Sequence, residues 1–257
     1  MWADELKILT SLRGTPFFVL SLFSAGVSAS VDIFTVPDDP FTAKSDFAGN
    51  VQGSYAHQDG NSRTSTISAD STLTWFDKAN AFSLWGEAYN YSSDDTRSSE
   101  KYQAGLRLRH NLDGTNFLFG QIGWSGDRFN GYRGRYTTVA GYGRQIFSGP
   151  LHTLRMEAGP GVRHDEFTDG SGTTNALAYT ALSYSYKLTD AAYFIQGVSV
   201  LASRDSTLNS ETGIRVDLNK SFALKVTYNY THNSKPPSTA PDKTDTKTQM
   251  SIVYNIP

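Results

Sequence analysis

A set of charged side chains recurs at alternate positions along the chain and could line a polar interior. Around Tyr102, for example, Lys101 and Arg107 occupy odd positions, while the even positions are apolar or aromatic. This spacing is that of a β-strand, in which alternate residues share one face. Both signs of charge occur on this face. The candidate lumen residues are Glu87, Lys101, Arg107, Arg109, Arg155, Glu157, Arg163, Lys187, Glu211, Arg215, Asp217 and Lys225.

A basic cluster occupies a predicted outer loop. It consists of Arg128, Arg133 and Arg135. Guanidinium groups bind phosphate oxygens through charge-assisted hydrogen bonds, so this cluster is a candidate contact with lipopolysaccharide. The alternative interpretation is an exposed loop whose charges only keep it soluble.

An acidic stretch with glycines follows at residues 165–172. Asp165, Glu166 and Asp169 supply the oxygen ligands that a hard cation such as Ca²⁺ prefers. Their spacing does not match the EF-hand loop. We therefore weigh a cation site against an ordinary acidic loop in which each carboxylate is solvated.

Catalytic and cofactor motifs are weak in this sequence. The chain has no cysteine, which excludes disulfides and thiolate sites. His164 lies near a predicted loop and serines are plentiful, yet no nucleophile elbow or spaced triad appears. The glycine pairs at 141/143 and 159/161 do not open a helix, as a phosphate-binding loop requires. We expect no enzyme activity and no cofactor. The net charge of -2 also argues against a nucleic-acid partner.

The first 29 residues have the features of a secretory signal peptide. Lys7 and Arg13 precede the apolar run FFVLSLF at 17–23, and small residues stand at positions 27–29. The run is too short to cross about 30 Å of hydrocarbon, so a membrane anchor is disfavoured. We predict cleavage after Ala29, followed by a periplasmic N-terminal segment at 30–46. This segment is either an extended tether or a cover for the periplasmic mouth.

From residue 47 to residue 257, period-two alternation persists without a convincing helical stretch. The alternating segments are about 12 to 16 residues long, whereas strands in soluble sandwiches usually have about five or six. Aromatic residues make up 13% of the chain and gather near segment ends, as in an interfacial girdle. The faces of segments 136–146 and 193–202 are left open.

The connections between these segments alternate in length. Turn sequences at 77–80, 113–115, 148–150, 189–190 and 219–221 are tight, and the connections between them tend to be longer and more polar. Short turns on one rim and longer loops on the other are typical of outer-membrane proteins. We predict a closed antiparallel transmembrane β-barrel of about twelve strands, since closure leaves no backbone edge unpaired in lipid.

Several strings resemble the YdiY-like family of salt-induced outer-membrane proteins, a family of unknown function. The resemblance covers residues 47–254 and implies an outer-membrane barrel without an established catalytic activity or binding residues. The strings are SSEKY at 98–102, DRFNGYR at 127–133, AGYGRQ at 140–145, GPGVR at 159–163, QGVSV at 196–200 and TLNSE at 207–211.

The sequence thus favours a non-enzymatic barrel of the bacterial outer membrane. It would be a narrow pore for small polar solutes or a structural envelope protein linked to salt or osmotic stress. Two alternatives are an outer-membrane enzyme acting on phospholipid or lipopolysaccharide and a soluble periplasmic β-protein. The expected partners are outer-membrane lipid, lipopolysaccharide and, during biogenesis, the barrel-assembly machinery. The sequence leaves the oligomeric state open.

Overall fold

The computed structural model describes residues 39–58, 64–93, 96–128, 131–236 and 243–256. The predicted signal peptide, its cleavage point after Ala29 and residues 30–38 of the N-terminal segment lie outside the described residues. Within the described ranges, no helix is long and apolar enough to cross a membrane.

The described residues form twelve antiparallel strands that close into one ring, with β1 paired to β12. Apart from this closing pair, all pairs join strands that are consecutive in sequence, so the wall is built from antiparallel hairpins. This confirms the predicted all-β closed barrel. The strands are β1 Phe47–Gln58, β2 Thr64–Asp77, β3 Asn80–Ser93, β4 Thr96–Asn111, β5 Asn116–Asp127, β6 Tyr132–Ser148, β7 His152–Phe167, β8 Gly172–Lys187, β9 Ala192–Ala202, β10 Thr207–Asp217, β11 Phe222–Asn233 and β12 Thr244–Ile256.

Alternation along the strands separates an apolar outer face from a polar interior. Ile122 and Met250 are 58% and 68% exposed on the outside, whereas Arg163 is fully buried inside. Such a continuous apolar exterior suits hydrocarbon and not water. In the two segments left open by the sequence, the odd positions face inward, as buried Val139 and Leu201 show.

The connections between strands differ in length at the two rims of the barrel. We call the rim with Phe47 and Ile256 the terminal rim and the opposite one the far rim. The terminal rim has the predicted tight turns, at 78–79, 112–115, 149–151, 188–191 and 218–221. On the far rim, the connection at 234–243 is long, but those at 94–95 and 168–171 are shorter than predicted because the strands remain paired beyond their apolar stretches.

Hydrogen bonds to one carboxylate shape the tight turn between β4 and β5. Asp113 accepts from the Asn116 side chain at 2.7 Å and from the backbone N–H groups of Thr115 and Asn116, each at 2.7 Å. These bonds stabilise the ionised form and hold the pKa of Asp113 well below its usual range. The Asp-Gly sequence at 113–114 therefore forms the turn that it predicted.

Glycines in the wall allow aromatic rings to pack against the backbone, as expected for glycine in a strand. Phe117 of β5 lies directly opposite Gly143 of β6, and a Cβ at Gly143 would lie 2.2 Å from Cζ of the ring. Phe117 is fully buried, and the Arg109 guanidinium lies 4.0 Å from the ring centroid. A side chain at Gly143 would therefore meet a ring that is already in close contact with its neighbours.

We therefore expect Gly143→Val to lower the free energy of unfolding by about 1–3 kcal/mol through overpacking. Gly120→Val is the matched control because a Cβ at Gly120 meets nothing within 4 Å. The control should stay within about 0.5 kcal/mol of the parent. Urea unfolding in detergent measures both variants, and equal stabilities would contradict this account of Gly143.

Candidate functional site in the barrel interior

The interior has two regions of different character. The inward side chains of β4–β8 fill their side of the ring, and we call this region the packed half. The inward side chains of β9–β12 and β1–β3 border a polar cavity, with Gln103 of β4 and Ser183 of β8 at its edges, and we call this region the cavity half. The division follows from side-chain volume, since large Phe, Tyr and Arg residues concentrate on the strands of the packed half.

An apolar cluster forms the centre of the packed half. Arginines cover two of its rings: the Arg107 guanidinium lies 4.6 Å from the centroid of Phe119, and that of Arg109 lies 4.0 Å from Phe117. Such cation–π contacts stabilise buried guanidinium groups. The cluster consists of Phe117, Phe119, Val139, Leu177, Tyr179, Ala181 and Leu201.

One carboxylate in this half joins two arginines. Glu157 Oε1 lies 2.7 Å from Arg107 Nη2 and 3.3 Å from Arg155 Nε, and all three side chains are buried. Arg107 also donates to Gln121 Oε1 at 2.6 Å. Arg107 and Glu157 lie on β4 and β7, which are not neighbours in the ring. The ion pair therefore crosses the interior of the packed half and occupies part of its cross-section.

A second ionic cluster lies towards the far rim. Asp165, fully buried, accepts from Arg135 Nε at 2.7 Å and from Arg163 Nε at 3.3 Å. The Arg163 side chain also reaches the connection between β9 and β10. There its Nη2 donates to the backbone oxygen of Asp205 at 2.9 Å and forms an ion pair with the Asp205 carboxylate. Arg135 lies over the Tyr132 ring, 4.0 Å from its centroid.

The described end of the N-terminal segment is fixed inside the terminal rim. Asp39 Oδ2 lies 3.2 Å from Arg109 Nη2, and Asp39 Oδ1 accepts from Asn111 Nδ2 at 2.7 Å. The adjacent Pro40 is buried. Most of residues 41–46 are exposed, so Asp39 and Pro40 are the described residues of this segment that lie against the barrel interior, and a cover for the mouth stays a prediction.

The cavity of the cavity half measures about 370 Å³. Charges of both signs line it, mostly in pairs. Lys247 Nζ lies 3.3 Å from Glu87 Oε1, Lys225 Nζ lies 3.1 Å from Glu211 Oε1, and Arg215 Nε lies 2.8 Å from Asp217 Oδ1 at the rim. Amides and hydroxyls supply most of the remaining lining. They are Asn50, Gln52, Thr72, Gln103, Ser183, Asn209, Thr227, Asn229, Thr231 and Gln249.

The family of the chain is established by its relatives in sequence. Residues 51–256 match the family described as a protein of unknown function, DUF481. The chain belongs to the DUF481 family. It is 47% identical over 252 residues to the uncharacterized protein YdiY of Escherichia coli strain K12, covering 98% of this chain and 100% of YdiY. This confirms the YdiY-like resemblance.

Solved structures resemble this DUF481 barrel in fold alone. An outer-membrane channel from Pseudomonas putida F1 aligns with a TM-score of 0.52 at 8% identity, covering 89% of this chain and 99% of the channel. The NanC porin aligns with a TM-score of 0.46 at 8% identity, covering 80% of this chain and 97% of the porin.

The predicted lumen residues of the DUF481 barrel all occupy inward positions, but they do not form one lining. Those that border the cavity are Glu87, Glu211, Arg215 and Lys225. Those packed away from it are Lys101, Arg107, Arg109, Arg155, Glu157 and Arg163. Lys187 and Asp217 end their strands at the terminal rim, where Lys187 donates to Asp190 at 2.8 Å.

The predicted basic loop cluster is wrong as a group of three. Arg128 and Arg133 are exposed at the far rim, but Arg135 is buried inside the barrel against Asp165. The reason is that β6 begins at Tyr132, so Arg135 is a strand residue with an inward position. Lipopolysaccharide contact remains a prediction for Arg128 and Arg133.

The predicted cation site is not assembled either. Asp165 points into the barrel, Glu166 faces outward beside His164, and Asp169 caps the turn by accepting from the Ser171 N–H at 2.8 Å. β7 extends to Phe167, so neighbouring carboxylates fall on opposite faces. Within the described ranges, no three His, Asp or Glu side chains are placed to hold a metal ion.

The histidines whose side chains are described lie near strand ends on the outer face. Their Nδ1 atoms contact Asn80, Tyr184, Thr174 and Thr244, at 2.8–2.9 Å. His164, which the sequence singled out, is the one bonded to Thr174. Each of these hydrogen bonds joins the histidine ring to a side chain of the neighbouring strand.

Sequence reasoning missed several residues of the cavity wall. Asp70 lies on the face opposite to Ile67 and Leu73, and Lys247 lies on the face opposite to Met250, so extending the parity of each strand predicts both as inward. Tyr89 is buried beneath Lys247, whose Nζ lies 4.9 Å from the centroid of the tyrosine ring. Trp85 is also inward, on the same face of β3 as Glu87, and the strand register places it opposite Gly105.

Proposed function

We propose that this chain is a non-enzymatic outer-membrane barrel that provides a narrow passage for small polar solutes. Two features support placement in a membrane. The outer face is apolar, and the closed strand ladder leaves no backbone edge unpaired in lipid. The fold likeness to an outer-membrane channel supports the same location. The export signal predicted at residues 1–29 fits this address.

The observation that carries the proposal is the continuous polar wall of the cavity half. On β11 alone, Lys225, Thr227, Asn229 and Thr231 are successive inward positions that border the cavity. At about 3.3 Å per residue, they extend roughly 20 Å along the strand. Arg215, which donates to Asn255 Oδ1 at 3.2 Å, continues this wall to the terminal rim.

The packed half limits the passage to small solutes. The Arg107–Glu157 pair and the apolar cluster occupy the cross-section that a wide porin would leave to water. A role in salt or osmotic stress, which the family resemblance implies, is compatible with a restricted passage of this kind. We propose this stress-related role for the chain. We also propose that the barrel-assembly machinery inserts the barrel into the outer membrane.

Planar-bilayer recordings test the pore directly. We expect small, stable conductance steps in potassium chloride, with weak preference between cation and anion because the cavity charges are nearly balanced. Addition of a polymer too large to enter should leave the steps unchanged, whereas a small neutral solute that enters should reduce them. A folded barrel that gives no current above background would contradict the proposal.

A further inference from the structure

We infer that the cavity is a binding site for a small neutral polyhydroxylated solute, of the size of a monosaccharide or disaccharide, recognised by Trp85 and Gln103. The inference deepens the proposed function by naming the solute class, and it rests on that function. A volume of about 370 Å³ is at the small end of ligand pockets, which span about 300–1,000 Å³.

Two buried polar atoms at one end of the cavity have no partner among the described residues. They are Nε1 of Trp85 and Oε1 of Gln103, and each residue is only 6% exposed. Buried polar groups in folded proteins are almost always hydrogen-bonded, so a donor and an acceptor that both lack partners need an explanation. Both residues border the cavity.

The neighbours of these two atoms fix their roles. Gln103 Nε2 donates to the Glu87 carboxylate. A flipped amide would place two acceptors face to face, so Oε1 must be the acceptor that remains. The Trp85 indole lies against Gly105, where a Cβ would come within 2.5 Å of the ring. The indole N–H is therefore a donor held in place.

A hydroxyl can accept from the indole N–H and can donate to the amide oxygen, so a polyhydroxylated solute supplies both of the functions that these atoms require. The charged groups favour a neutral solute. Among the lining carboxylates, Glu87 and Glu211 each already contact a lysine, and Asp70 is hydrogen-bonded to Gln52, so an ionic solute would have to compete with an existing contact. The amides and hydroxyls of the wall, among them Asn229 and Gln249, suit further hydroxyl groups.

A single-tryptophan form of the full chain reports on the site. Trp75 and Trp124 are outward, 46% and 37% exposed, and are replaced by Phe together with Trp2, leaving Trp85. Titration with glucose and sucrose should change Trp85 fluorescence in a saturable manner. Glucuronate and glucosamine share the ring but carry opposite charges. We expect both to bind more weakly than glucose.

Two variants test the assigned residues. Gln103→Leu in the single-tryptophan form removes the acceptor and should raise the Kd for glucose about three- to tenfold. Gln145→Leu is the matched control because Gln145 lies at the terminal rim, bonded to the Phe147 carbonyl at 2.6 Å and away from the cavity. Trp85→Phe in the otherwise unchanged chain, measured by calorimetry, should weaken binding to a similar degree.

The outcomes separate this inference from the pore. The solute inference is overturned by the absence of saturable binding, by tighter binding of glucuronate or glucosamine, or by parental affinity in Gln103→Leu. If Gln103→Leu does not give a folded barrel in the heat-modifiable gel shift, parental affinity in Trp85→Phe overturns it instead. Conductance without binding overturns only the solute class, whereas binding without conductance overturns the pore and leaves the site.

Discussion

Replacing Glu157 by Gln is expected to lower the free energy of unfolding by about 3–5 kcal/mol, because it leaves buried arginine charges without their shared carboxylate. Glu157 lies between Arg107 and Arg155, and the side chains of the three residues are between 1% and 7% exposed. In the variant, two guanidinium groups would face each other in a region that excludes water. Arg107→Met should cost less, since Glu157 then keeps Arg155.

Urea unfolding of the detergent-folded barrel, followed by gel mobility, measures this loss. Glu211→Gln is the matched control: its partner is Lys225, and the two side chains are 18–30% exposed. A pair with this much solvent contact contributes about 1 kcal/mol or less. Equal effects at Glu157 and Glu211 would show that the packed half is hydrated and not closed.

Replacing Lys225 and Lys247 together by Gln is expected to shift the permeability ratio of K⁺ to Cl⁻ towards K⁺ by about fivefold. The double variant leaves Asp70, Glu87 and Glu211 along the cavity, with Arg215 as the remaining cation among the described lining residues. Unbalanced carboxylates raise the local concentration of cations and repel anions. Reversal potentials across a salt gradient give the ratio.

Lys187→Gln serves as the control for this measurement, because Lys187 lies at the terminal rim and does not border the cavity. It removes the same charge from the same chain, and the ratio should stay near that of the parent. If the double variant also keeps the parental ratio, ions do not pass along the cavity half, and the assigned path is wrong.

The face of each strand could be predicted from the sequence wherever apolar and charged residues alternate strictly. Hydrocarbon outside and a polar interior impose opposite demands on adjacent positions, so Arg107 and Glu157 were both assigned inward. Segment 136–146 lacks this contrast, because its apolar residues, such as Val139 and Ile146, fall on opposite parities. Its orientation follows only from its pairing with β5 and β7.

The contacts across the ring could not be predicted. Arg107 meets Glu157 fifty residues away, on a strand that is not its neighbour, and local periodicity carries no information on such pairs. Asp39 meets Arg109 for the same reason, although it precedes the first strand. The ends of some strands could not be predicted either, because strand pairing continues through polar residues there. For this reason the sequence places Arg135 and Asp165 in loops, although both are strand residues.

The one-sided filling of the ring has a mechanical consequence. Close-packed interiors have low compressibility. The wall of β4–β8 is therefore expected to be stiff, whereas the opposite wall borders the cavity and has fewer side-chain contacts behind it. Lateral pressure from a stretched or thinned bilayer would deform the cavity half and leave the packed half unchanged. The width of the cavity would therefore change along one axis only.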